Sequence, residues 1–127
     1  MAAPFQYAVI QVVPRIERGE RLNAGVVLFS RPLDFLGART HLDVGLLRAL
    51  ASECDVDLVR AHLDALEAVA RGVASGGPLA ALSQSERFHW MVAPSSTMIQ
   101  ASAAHTGLCD DAAAQLDRLF ASLVART

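Results

Sequence analysis

The chain has no lysine: every one of its 11 basic residues is arginine. Chemistry that needs a lysine amine, such as a Schiff base or the phosphate-gripping lysine of a nucleotide loop, is therefore excluded. Cysteine is scarce, with Cys54 and Cys109 alone, too few for a disulfide framework. Aromatic residues make up 6% of the chain, with a single tryptophan, Trp90. Charge of one sign is missing as well. The 11 arginines face 13 carboxylates, a net charge of −2, so no basic field awaits nucleic-acid phosphates, and no helix-turn-helix or zinc pattern is present. No apolar run approaches the roughly 18 residues needed to span a bilayer. Residues 1–5 lack the basic-then-apolar order of a secretory leader. The expectation is a cytoplasmic protein with reduced thiols and with neither nucleic-acid nor membrane partners.

Apolar side chains are what the chain has in excess. They make up 53% of the 127 residues, and the mean hydropathy is +0.33. One domain spanning residues 1–127 is expected. A domain of this size has little interior in which to hide so much apolar surface. Self-association or a protein partner covering the remainder follows as an expectation.

Periodicity places the elements. The β-branched and aromatic stretch Phe5–Val13, ended by Pro14, predicts a strand buried on much of both faces. A charged turn with Gly19 leads to a second strand, Leu22–Ser30, antiparallel to the first. Gly25 inside it marks a bulge or a close backbone approach. A third, weaker strand is expected within Phe35–Leu42, then a short helix opened by Asp43. Val56, Val59, Leu63, Leu66, Ala70 and Val73 form one apolar stripe, predicting a helix over 56–73 with Asp55 as N-cap. Residues 79–93 read two ways, as a strand at "RFHWMV" or as a short helix capped by Ser83 or Ser85, carrying Phe88 and Trp90 and ending before Pro94; the helix is favoured. A strand is expected at Thr97–Ser102, and a last helix opened by Asp110 or Asp111 carries Leu116, Leu119, Phe120, Leu123 and Val124. The order predicts an α+β fold: a mainly antiparallel sheet of three to four strands, with two longer amphipathic helices and one or two short ones packed on one of its faces.

Candidate chemistry concentrates in "SSTMIQASAAHTGLCDD", Ser95 to Asp111. Ser95 or Ser96, His105 and Asp110 or Asp111 are triad residue types, yet no strained nucleophile elbow surrounds them, and turn formation and helix capping account for the serines and aspartates. Cys109 stands near a helix start, but neighbouring aspartates oppose a thiolate. His41, His62, His89, His105 and the two cysteines show no metal-ligand spacing, His105 with Cys109 coming nearest, so neither metal nor cofactor is expected. Arg15, Arg18 and Arg21 cluster in the first turn and offer an anionic small molecule a site, although Glu17 and Glu20 neutralise them. Asn23 and Gln100 resist a bland account, because an unpaired amide inside an apolar strand costs about 1–3 kcal/mol.

Two stretches, "YAVIQVVPRIERGERLNAGVVLF" and "ERFHWMVAPSSTMIQASAAHTGLCDD", carry a recognisable pattern. A V-P turn leads through R-G-E to an N-x-G-V-V strand; later come R-F-x-W, P-x-S-T, I-Q and H-x-G-L-C-D-D. This resembles the bacterial family called domain of unknown function 3037, over nearly the whole chain. Ala24 and Ala103-Ala104 depart from the family's usual residues and remove no polar candidate. The resemblance implies an accessory protein without an assigned reaction. It also implies that Arg21, Asn23, Arg87, Gln100 and His105 converge at one end of the sheet. The expected function is thus a non-enzymatic accessory or protein-binding module whose polar patch holds a partner or an anionic ligand. The alternative is a small enzyme on a phosphorylated or carboxylated substrate, with His105 as acid or base.

Overall fold

Strands β1 (Ala3–Val12) and β2 (Leu22–Ser30) form the centre of the sheet. The computed structural model describes residues 2–95 and 97–125. β3 (Phe35–Thr40) follows, then helices α1 (Val44–Leu50), α2 (Val56–Arg71) and α3 (Gln84–Val92). Two short strands, β4 (Ile99–Ala101) and β5 (His105–Cys109), precede α4 (Ala112–Leu123). All pairings are antiparallel in the order β3-β2-β1-β4, with β5 also on β1. The α+β class is as expected, but the sheet has five strands rather than three to four. The extra one is β5, "HTGLC", which reads locally as a connector: it is short, it contains Gly107, and only its pairing with β1 makes it a strand.

Local chemistry sets the helix ends. Asp43, Asp55 and Asp111 each accept an N–H from the first turn of α1, α2 and α4. Ser83 and Glu86 form a reciprocal capping box on α3, which satisfies two otherwise orphaned donors. Gly72, left-handed at φ 70°, ends α2 at Arg71, two residues short of the expected Val73.

The helices cover both faces of the sheet, not one. Ala8, Ile10, Val12, Val27 and Phe29 pack against Val59, Leu63, Val69, Phe88 and Met91 of α2 and α3. On the opposite face Phe5, Val26 and Leu28 pack against Leu116 and Val124 at α4. Val26 to Phe29 are therefore all buried, the pattern of strands enclosed from both sides.

Two bulges change which side chains face where. Ile10 pairs with Gly25 but Gln11 pairs with Asn23, leaving Ala24 as an extra residue in β2. Gly25 is required there because a Cβ would lie 2.8 Å from the Arg39 carbonyl oxygen. On the far side of β1, Ser102 pairs with Val9, whereas His105 pairs with Tyr7. Ala103 and Ala104 thus share the single position opposite Ala8. Each bulge inverts the alternation beyond it.

Candidate functional site

The bulges gather four of the five expected residues on the α4 face. Asn23 and Gln100 both pair with Gln11, so three amides lie side by side across β2, β1 and β4. Arg21 Nη1 donates to Gln11 Oε1 at 3.1 Å, Gln11 Nε2 to Asn23 Oδ1 at 3.1 Å, and Asn23 Nδ2 to the Leu123 carbonyl at 3.1 Å. Gln100 Nε2 turns to the Thr97 carbonyl, 2.8 Å away. The row spends its polar groups on the protein itself. Its end point is a carbonyl in the last turn of α4, one of those an α-helix leaves without an internal partner.

His105 shares this face but stands apart. It lies against the Tyr7 ring at a centroid distance of 5.3 Å. Tyr7 is four residues along β1 from Gln11, about 13 Å in a strand. The same strand geometry separates His105 from Cys109 by about 13 Å, where a helix would have brought them together. Cys109 is buried, and burial first, then the Asp110 carboxylate and more weakly Asp111, push its thiol above the usual range against the pull of Arg118. No thiolate is favoured there.

Arg87 belongs to the other layer. Its Nη1 donates to the Val69 and Ala70 carbonyls at 2.8 and 2.9 Å, and its Nε to the Leu82 carbonyl at 3.0 Å. It closes the C-terminus of α2, where a cation suits both the exposed carbonyls and the helix dipole. Arg15 pairs with Glu53, and Arg18 with Glu20, so two cations of the first turn are matched by carboxylates. Ser95 bonds Thr97 within a turn; Ser96 lies outside the described residues. Among the described residues, no three His, Cys, Asp or Glu side chains are placed to hold a metal ion.

The larger concavity takes in only Gln100 of the five expected residues. A cleft of about 550 Å³ runs between α2 and the α3–β4 connection, lined mainly by apolar side chains that include Leu58, Leu66, Trp90, Met98 and Ile99, with His62 on its wall. Trp90 is 52% exposed and Leu58 47%. The volume lies in the range of small-molecule and side-chain pockets. Sequence reasoning followed one stripe of α2 and missed a second, Leu58, His62, Ala65 and Val69, spaced four, three and four apart, which forms the cleft wall. Phe88 and Trp90 of R-F-x-W divide their labour: Phe88 is buried against Phe29 at 5.3 Å, while Trp90 points into the open.

Among the described residues, no helix is long and apolar enough to cross a membrane. Neither the curated proteins nor the solved structures contain a match to the chain. The family model described as a protein of unknown function (DUF3037) matches residues 7–124, nearly the whole chain. The chain belongs to that family.

Proposed function

We propose that the protein is a non-enzymatic accessory module that binds a protein partner through the apolar cleft between α2 and α3. The observation that carries this reading is Trp90, half exposed at the edge of an apolar hollow. Partly exposed aromatic anchors beside apolar pockets are the usual energetic centres of protein interfaces. The cleft also accounts for part of the apolar excess of the chain. The amide row supports a structural role, since its hydrogen bonds close on α4 and leave no cluster of donors turned outward. His105 does not line this cleft; it lies against the Tyr7 ring on the other face of the sheet.

The test is affinity capture from the source cells at natural expression, comparing wild type with a Leu58→Glu/Trp90→Ala variant. Both side chains are substantially exposed, so the variant keeps its fold, checked by circular dichroism. A stoichiometric partner lost with the variant is the expected result. A partner retained by the variant, or wild type recovered alone, refutes the reading.

A further inference from the structure

The sheet has two edges, and they are built differently. On β3 the residues paired with Val26 and Leu28 are Arg39 and Gly37. Regular alternation turns the backbone groups of Leu36, Ala38 and Thr40 outward. That edge is guarded. The Thr40 N–H donates to Glu67 Oε2 at 3.1 Å, the Thr40 hydroxyl donates to the same oxygen, and Arg39 bonds Asp117 at 2.9 Å. Charged side chains along an edge are a common protection against strand addition.

The β5 edge has no such guard. On the β4 side of β1, the Val13 N–H donates to the Met98 carbonyl, the Val9 carbonyl accepts from the Ser102 N–H, and the Val9 N–H donates to the Ser102 hydroxyl. Odd-numbered β1 residues thus direct their N–H and C=O groups to that side. Phe5 and Tyr7 therefore bond Gly107 and His105. Thr106 and Leu108 are left with N–H and C=O groups pointing away from the sheet, and β5 pairs with β1 alone. The strand contains neither proline nor a residue with a fixed charge. Leu108, at 69% exposure, is the most exposed large apolar side chain of the described residues.

We propose that β5 pairs antiparallel with β5 of a second copy about a two-fold axis through Gly107, joining two five-stranded sheets into one. The register follows from the free groups. Thr106 of each copy faces Leu108 of the other, so the outward N–H and C=O groups at both positions are satisfied, four hydrogen bonds in all. Leu108 then packs on the opposing threonine. Gly107 meets Gly107 without a side chain between the strands, on the side already filled by Phe5, whose Cζ would lie 2.7 Å from a Cβ at 107. A two-fold axis brings like residues near one another, so an edge that pairs with itself must be neutral close to the axis. β5 meets that condition. Asp110, the first carboxylate beyond it, falls opposite Ala104 and away from its own copy. The β3 edge fails the condition, since its arginine and blocking carboxylate would be duplicated.

This surface is separate from the α2–α3 cleft, and its test reads a different signal. Light scattering on the eluting full chain gives the mass, and residue-resolved amide exchange by NMR gives the edge. The expected result is a dimer. The Thr106 and Leu108 amides should be slowed about tenfold or more relative to a Leu108→Lys variant, which elutes as a folded monomer. The Gly107 and His105 amides, bonded to β1, stay protected in both. A Thr106→Lys variant repeats the disruption from the other half of the pair. A wild-type monomer at every concentration overturns the proposal. So does a dimer whose Thr106 and Leu108 amides exchange freely, or one that both lysine variants leave intact, because its interface then lies elsewhere.

Discussion

Asn23 Nδ2 donates to the carbonyl of Leu123, 100 residues further along the chain, at 3.1 Å. The bond fastens the C-terminal turn of α4 to the middle of the sheet. Replacing Asn23 by alanine leaves the Leu123 carbonyl and the Gln11 amide without their partner. The expected loss is about 1–3 kcal/mol of unfolding free energy, read from urea denaturation. Arg21→Ala, at the exposed end of the same chain of bonds, should cost under about 0.5 kcal/mol. Equal losses from both would show that the row acts through charge and not through the α4 tether.

Arg87 spans two helices by donating to three carbonyls. Arg87→Ala is expected to lower stability by about 2–3 kcal/mol, the scale of charge-assisted hydrogen bonds. Arg87→Lys should recover less than half of the loss, because a single ammonium cannot reproduce the guanidinium's spread of donors. The comparison is made by thermal unfolding. Full recovery by lysine would reduce the role of Arg87 to a point charge near the helix end.

The elements whose causes are local were readable in advance. Ser83 with Glu86 three residues on, the aspartates before α1, α2 and α4, and the apolar run of β2 each carry their own chemistry. The apolar content of both faces of β1 was visible as well, yet the helices were expected on one face only, and their placement on both faces comes from the tertiary packing. β5 was not readable, because nothing in "HTGLC" favours a strand until β1 lies beside it. The site shows the same division. Asn23 stood out as an amide that needed an explanation, yet its partner is a carbonyl across the fold. Arg87 looked like an anion-binding group because the end of α2 that it closes is distant in sequence. The shared face of Gln100 and His105 depends on the Ala103–Ala104 bulge, which follows from pairing and leaves no local mark.

Gly25 and Gly45 should respond to alanine in opposite directions. At Gly25 the added Cβ meets the Arg39 carbonyl oxygen at 2.8 Å and Thr40 Cγ2 at 2.9 Å, so a backbone shift at the β2–β3 pairing is forced, costing about 1–3 kcal/mol. At Gly45, near the start of α1, the nearest atom is Asp43 Oδ1 at 3.6 Å. There alanine fits and favours the helix by about 0.5 kcal/mol. Paired unfolding curves decide the matter. A neutral Gly25→Ala would mean that the bulge at Ala24 absorbs the methyl group.

Alkaline pH should weaken the fold through its thiols. Burial is the first cause that raises both Cys54 and Cys109, with Asp55 and Asp110 adding to it. Above about pH 8.5 the thiols of the unfolded chain ionise while the folded ones keep their protons. The unfolded state then binds fewer protons, so unfolding free energy falls as pH rises from that point through the folded values. Below it the contribution is complete. Urea unfolding between pH 7.5 and 10 is expected to show this fall, and Cys109→Ala should flatten it even though the smaller side chain lowers stability at every pH (the pH range here is roughly the thiol window). A thiol reagent at neutral pH should likewise label Cys109 only after denaturant is added. Rapid labelling of the native protein, or an unchanged slope in Cys109→Ala, would place the thiol in a far more open setting than its packing beside Leu116 and Val124 provides.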